Sequence, residues 1–149
     1  RLELLSAAGS RKVVVSEFYT GYKKNIMQSD EIISKIIISK NAEKDWRFFY
    51  EKVGARKTLT IAKVALAGLK KVEDGKITGI KLAVGSLNEY ARRLPKMENY
   101  LLGKTLLEID ADEIDEILKQ EITPITDLRS DQEYRFRVCA NLLKKFGDK

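Results

Sequence analysis

The sequence contains no histidine, one cysteine and two prolines among 149 residues. Within these residues, the lack of histidine excludes Ser-His-Asp and Cys-His nucleophilic chemistry, His-based zinc sites and a histidine general base. The lone Cys139 excludes an internal disulfide and an iron–sulfur cluster held by cysteines of this chain alone. It suits a reducing compartment, so the expected location is the cytoplasm. No apolar run approaches the ~20 residues that span a bilayer. Arg1-Leu2-Glu3-Leu4-Leu5 has no signal-peptide core and no leading Met, so the chain is expected to begin inside a longer gene product or after processing. Redox chemistry here would call for an organic cofactor or a partner chain.

What is present is a globular composition. Hydrophobic residues make up 44% of the chain, enough to bury a core and to argue against disorder. With 28 Lys and Arg against 22 Asp and Glu, the net charge is +6, which raises nucleic acid as a partner. The basic residues are spread as isolated pairs, such as Lys70-Lys71 and Arg92-Arg93, and are interleaved with acids. That pattern reads as a solvated mixed surface and speaks against nucleic acid.

Two short apolar runs, Leu2 to Leu5 and Val13 to Val15, flank a Gly9-Ser10 turn and predict a hairpin. A helical turn follows at Ser16 to Tyr19, and the β-branched Glu31 to Ile38 predicts a strand. Asp45 to Lys52 reads as an aromatic strand with Trp46 and Phe48 to Tyr50 in the sheet core, a platform for bases being the alternative. Ile61 to Val72 and Ile77 to Val84, joined through Asp74-Gly75, predict a second hairpin. Ala62, Ala65, Ala67 and Gly68 would let a helix, or a planar ligand, approach that sheet closely. Helices are expected at Ala91 to Leu102, stopped by Gly103, and at Glu113 to Glu121, with Ile114, Ile117 and Leu118 inward. A last helix is expected after a Ser130/Glu133 capping box, with Tyr134, Val138, Leu142 and Phe146 on its inner face. Asp127, Arg129, Tyr134 and Arg135 form a polar cluster suited to orienting that helix, and Cys139 is expected buried and inert. Strands first and helices afterwards predict an α+β fold, an antiparallel sheet covered on one face by about three helices. Residues 1–40 are set apart from 41–149 by the polar stretch Asn41 to Asp45.

The run from Phe48 to Ala67 passes from an aromatic strand end through the basic loop Gly54-Ala55-Arg56-Lys57 into an alanine-rich strand. It resembles the start of the C-terminal domain of the FAD-binding (medium) subunit of the molybdenum hydroxylases, the family of xanthine dehydrogenase and aerobic carbon monoxide dehydrogenase. Three further pieces follow in matching order: Gly75 to Gly85, Arg93 to Lys104, and Ile125 to Arg135 with its Asp127, Arg129, Ser130, Tyr134 and Arg135. The segment Glu17-Phe18-Tyr19-Thr20-Gly21 and the Glu31-Ile32-Ile33-Ser34-Lys35-Ile36 run resemble the end of the preceding FAD-binding domain. Nothing resembles the family's Gly- and Asn-rich pyrophosphate loops, so the chain would be a C-terminal fragment carrying part of an FAD site.

The resemblance implies that this part lies over the isoalloxazine end of FAD as a lid and joins the subunit interface. Electrons would pass from a [2Fe–2S] small subunit to an external acceptor, and a molybdopterin-binding large subunit would hold the molybdenum centre. The fragment alone would be inactive. By position, Lys52 would reach the flavin C2 carbonyl and N1 edge, Arg56 would share the basic loop, and Ile61 would begin the next strand and offer its backbone N–H. Ile33 would pack on the flavin system, with plain core packing as its alternative. Where some relatives carry Asp in this loop, the chain has Leu59 or Thr60. Two readings from other classes stand beside this one: a basic nucleic-acid-binding module, and a dimerisation domain pairing its alanine-rich sheet with a copy of itself.

Overall fold

The computed structural model describes residues 1–39, 45–56 and 58–148. The 41–44 part of the polar separator and Lys57 of the basic loop lie outside them. The chain divides into two units, Arg1–Lys44 and Asp45–Lys149.

In the first unit, β1 (Leu2–Ser6) and β2 (Gly9–Val13) form the hairpin, and β5 (Ile32–Ile36) pairs with the other edge of β1 in the order β2-β1-β5. A single turn, α1 (Val15–Phe18), leads into the small pair β3 (Tyr19–Gly21) and β4 (Lys24–Asn25). Leu2, Leu4 and Phe18 form a small core with Val13, Ile26 and Met27 against it. Arg11 grips Glu31 through two bonds, Nε to Oε1 at 2.6 Å and Nη2 to Oε2 at 2.8 Å. This fork holds the Glu31 carboxyl down to about 2.

The second unit is an α+β domain. Its antiparallel sheet runs β6-β7-β8-β9, with β6 at Arg47–Val53, β7 at Val64–Glu73, β8 at Lys76–Gly85 and the short β9 at Arg92–Arg93. The β7–β8 hairpin turns on Asp74 and Gly75, both at positive φ (50° and 76°), as Asp-Gly favours. Three helices follow: α2 (Pro95–Leu101), α3 (Ala111–Glu121) and α4 (Gln132–Asp148). α2 packs on β8, α4 packs on β6 and β7, and α3 lies across α2 and α4. Strand alternation turns Val64, Leu66, Gly68 and Lys70 of β7 toward the helices.

Gly68 is where α4 seats. A Cβ there would stand 2.6 Å from Cε2 of Phe146, which is itself buried. The neighbouring Lys70 is buried as well, and its Nζ donates to the carbonyls of Phe146 and Gly147, both at 2.8 Å. It thereby satisfies carbonyls that the last turn of a helix leaves open. Carboxylates do similar work on α2. Glu121 accepts from the backbone N–H groups of Lys96 (2.7 Å) and Met97 (2.9 Å). Glu98 accepts from the Leu82 N–H at 2.7 Å, completing the edge of β8 beside β9.

Several expectations are corrected here. The helix predicted from Ala91 begins at Pro95, because proline suits the first helical position and keeps the residue before it out of helical geometry. Residues 92–93 are strand instead. The strand predicted from Ile61 begins at Val64, since Leu59 takes a left-handed φ of 47° and the loop closes only where the Lys63 N–H donates to Val53 O at 2.7 Å. The capping side chain of α4 is Asp131, which accepts from the Tyr134 N–H at 2.7 Å, while Ser130 is drawn into a turn with Asp127. The inner face of α4 is rotated: Arg135, Cys139, Leu142 and Phe146 are buried, Val138 is half-buried and Tyr134 is exposed. Of the aromatics expected in the sheet core, only Phe49 is there. Trp46 is half-buried against Gly79, and Phe48 (72% exposed) and Tyr50 stand on the opposite face.

Two outcomes are expected. Gly68→Ala should destabilise the domain by about 1–3 kcal/mol, because the methyl collides with a buried ring that has little room to move. Urea unfolding measures it, and a neutral or stabilising result would contradict this seating of α4. Burial pushes the Cys139 thiol up to about 12, so a thiol reagent should leave the native protein unlabelled and modify it once urea is added.

Candidate functional site

The loop between β6 and β7 is short of conformational freedom. Gly54 is needed for space and not for a positive φ, since a Cβ there would lie 2.2 Å from Cγ2 of Thr60. Lys52, exposed at the end of β6, donates from Nζ to Thr60 O at 3.1 Å. Arg56 folds back on the same loop, with Nε donating to Thr58 O (3.0 Å) and Nη2 to Leu59 O (2.7 Å). These bonds hold Leu59 in its left-handed conformation with its side chain 90% exposed. A leucine at positive φ is uncommon and costs of order 1 kcal/mol, so the loop is held in place against its own local preference.

The loop forms one wall of an open cleft of about 520 Å³. Ala55, Arg56, Leu59, Thr60, Ile61 and Lys63 line that wall, and Leu128 and Arg129 line the other. Leu59 and Leu128 stand at the lips, both strongly exposed, and the charged lining is cationic throughout. The second wall is a turn in which Asp127 gathers donors. Its Oδ1 accepts from the backbone N–H of Arg129 (2.8 Å) and of Ser130 (3.2 Å) and from Nη2 of Arg135 (2.7 Å), and its Oδ2 accepts from Nη1 of Arg129 (3.0 Å). The Arg129 N–H, with both guanidinium groups, holds the Asp127 carboxyl down to about 2. Arg135 also donates from Nη1 to Lys63 O at 2.6 Å and to Ser86 O. The Lys63 ammonium lies 4.9 Å above the Tyr134 ring.

The structure thus places Lys52, Arg56 and Ile61 around one loop. Ile61 sits within that loop, exposed, three residues before β7. Ile33 belongs to the first unit, on β5, where it is 44% exposed and outside the small cluster of Leu2, Leu4 and Phe18. Arg135 was legible only as part of a polar cluster. The signal that would have picked it out is its register with Cys139, Leu142 and Phe146, which puts a cation on a buried face. Among the described residues, no helix is long and apolar enough to cross a membrane, and no acidic or cysteine group is placed to hold a metal.

A pH dependence follows from Asp127. Its folded value lies below the ordinary 3.8, so its ionised form stabilises the fold above that range, and the stabilisation is lost as pH falls toward about 2. Asp127→Asn should therefore be less stable than the parent at pH 7, and the gap should close across this acid window. Chemical denaturation over a pH series measures it, and a gap that stays constant into acid would contradict it.

The family described as the CO dehydrogenase flavoprotein C-terminal domain matches residues 49–149. The medium chain of glyceraldehyde dehydrogenase from Sulfolobus acidocaldarius is 29% identical over 143 residues, covering 95% of this chain and 50% of that protein. A putative xanthine dehydrogenase FAD-binding subunit of Escherichia coli K12 is 23% identical over 145 residues, covering 97% and 50%. Among solved structures, quinoline 2-oxidoreductase from Pseudomonas putida 86 superposes with a TM-score of 0.80 at 19% identity, over 97% of this chain and 49% of that one. Reconstituted CO dehydrogenase from Oligotropha carboxidovorans gives 0.80 at 21%, over 97% and 50%. The chain spans about half the length of the curated relatives it matches. These similarities lend no support to the nucleic-acid or dimerisation readings. With the sheet, the three helices and the matched span in agreement, the chain belongs to the CO dehydrogenase flavoprotein C-terminal domain family.

Proposed function

We propose that this chain is the C-terminal part of the FAD-binding medium subunit of a molybdopterin-dependent oxidoreductase. In this reading it is the lid over the flavin ring and part of the subunit interface. FAD, when bound, accepts electrons from a [2Fe–2S] small subunit and passes them to an external acceptor. The molybdopterin-binding large subunit carries the substrate chemistry. The fragment is inactive by itself, and the whole acts in the reducing cytoplasm.

One observation carries this reading furthest: among the described residues, every charged group that the β6–β7 loop offers to its cleft is cationic, and apart from Thr60 the rest of its lining is apolar. That donor set fits a ring system with apolar faces and an edge that becomes negative on reduction. Lys52 supplies a fixed ammonium near that edge. Arg56 holds the loop's shape while adding positive charge, and Ile61 contributes an exposed loop backbone and an apolar side chain. Because Lys52 and Arg56 are already bonded to loop carbonyls, little rearrangement is needed to present their charge.

The test is the visible spectrum of the full-length gene product that carries these residues. A flavin spectrum that bleaches on reduction is expected. In the Lys52→Ala variant the flavin potential should fall by on the order of 30 mV, the equivalent of ~1.4 kcal/mol in a two-electron couple. A colourless protein that takes up no added FAD would overturn the reading. A bound flavin with an unchanged potential would remove Lys52 from the site.

A further inference from the structure

We propose that Arg135 is a positioning residue of this site, a side chain that fixes both walls of the cleft relative to each other. The proposal rests on the reading of the β6–β7 loop as flavin-facing. Arg135 is 1% exposed and is mounted in the first turns of α4, a helix seated at its other end by Phe146 and Lys70. Its guanidinium binds three segments that are distant in sequence. Nη1 donates to Lys63 O, where the loop wall ends, and to Ser86 O, in the turn after β8. Nη2 donates to Asp127 Oδ1, where the other wall begins. The residues these anchors hold, Arg56 and Ile61 on one side and Leu128 and Arg129 on the other, are the ones that line the cleft.

Guanidinium chemistry suits this task. A planar fork satisfies acceptors in fixed directions at once, whereas an ammonium is a point charge on a flexible stem. Asp127 supplies the compensating charge and has its own lone pairs filled from Arg129 and Ser130, so it too is held in one orientation. The Nε of Arg135 is buried without an acceptor among the described residues. An apolar side chain would fill the same volume without that cost. What the apolar side chain would not do is tie Lys63 to Asp127. Lys63 has a second tie to the same helix through the Tyr134 ring, so the loop end is referenced to α4 twice.

The experiment uses the full-length subunit loaded with FAD and compares Arg135→Lys, Arg135→Met and Asp127→Asn with the parent. Ile77→Ala, at a buried position beside the β7–β8 turn and at the far end of β8 from Ser86, serves as a variant destabilised away from the cleft. The expected result is that the Arg135 variants keep FAD but shift the flavin absorption and slow flavin reoxidation by a small dye by about 10- to 100-fold. Asp127→Asn, which leaves Arg135 an acceptor, should move the same readouts less, and Ile77→Ala should leave them unchanged. A second readout needs no flavin: trypsin should cut after Arg56 faster in the Arg135 variants than in Ile77→Ala at matched thermal stability. If the parent binds no FAD but cleavage accelerates, the flavin reading fails and the positioning role stands. If the folded variants show the parent's spectrum, dye rate and cleavage, the proposal is overturned. Should Arg135→Met fail to fold, Arg135→Lys and Asp127→Asn still decide it.

Discussion

The contact of the Phe146 ring with Gly68 sets the position of the last helix, and most of the second unit follows from it. A strand without a side chain at that point lets the ring lie on the sheet itself. Once the ring is down, the end of α4 is within reach of Lys70, whose buried ammonium donates to the carbonyls of Phe146 and Gly147. At the opposite end the same helix brings Arg135 under the loops. A helix of 17 residues thus works as a rigid bar between two sets of bonds, one closing the core and one shaping the cleft. α3 does not touch the sheet strongly. It locks the arrangement from outside by packing on α2 and α4 and by lending Glu121 to the start of α2.

The cleft and the loop beside it are held by bonds to backbone carbonyls. Lys52, outside the cleft lining, spends a donor on that loop, Arg56 spends Nε and Nη2, and Arg135 ties the end of the loop to α4. Among the described residues, positive charge is therefore kept in place without carboxylate partners on the loop wall. Asp127, on the other wall, balances the buried guanidinium.

Much of this could be read from the sequence where local chemistry decides. Asp74-Gly75 can close a hairpin in few ways, and the periodicity of Ile114 and Leu118 defines the inner face of α3. The failures have two causes, local backbone geometry that residue type does not announce and contacts with distant residues. Ile61 has the β propensity of a strand residue, but nothing in leucine's chemistry announces the left-handed turn at Leu59 that delays β7. Phe48 and Tyr50 look like core residues by type, yet alternation around Phe49 sends them to the other face. The buried face of α4 differs from its apolar spacing because an arginine, Arg135, lies on it. Its burial becomes reasonable only when Asp127, Lys63 and Ser86 are seen to converge on it.

The sequence separations of these bonds also imply an order of assembly. The β7–β8 hairpin closes across two residues and can form early at little entropic cost. The bonds from Arg135 to Lys63 and Ser86 join residues 72 and 49 positions apart, and they require α4 to be docked first. The cleft is therefore among the last features to form. By the same token it is the region that opens while the sheet is still intact, so loosening it need not cost the whole fold.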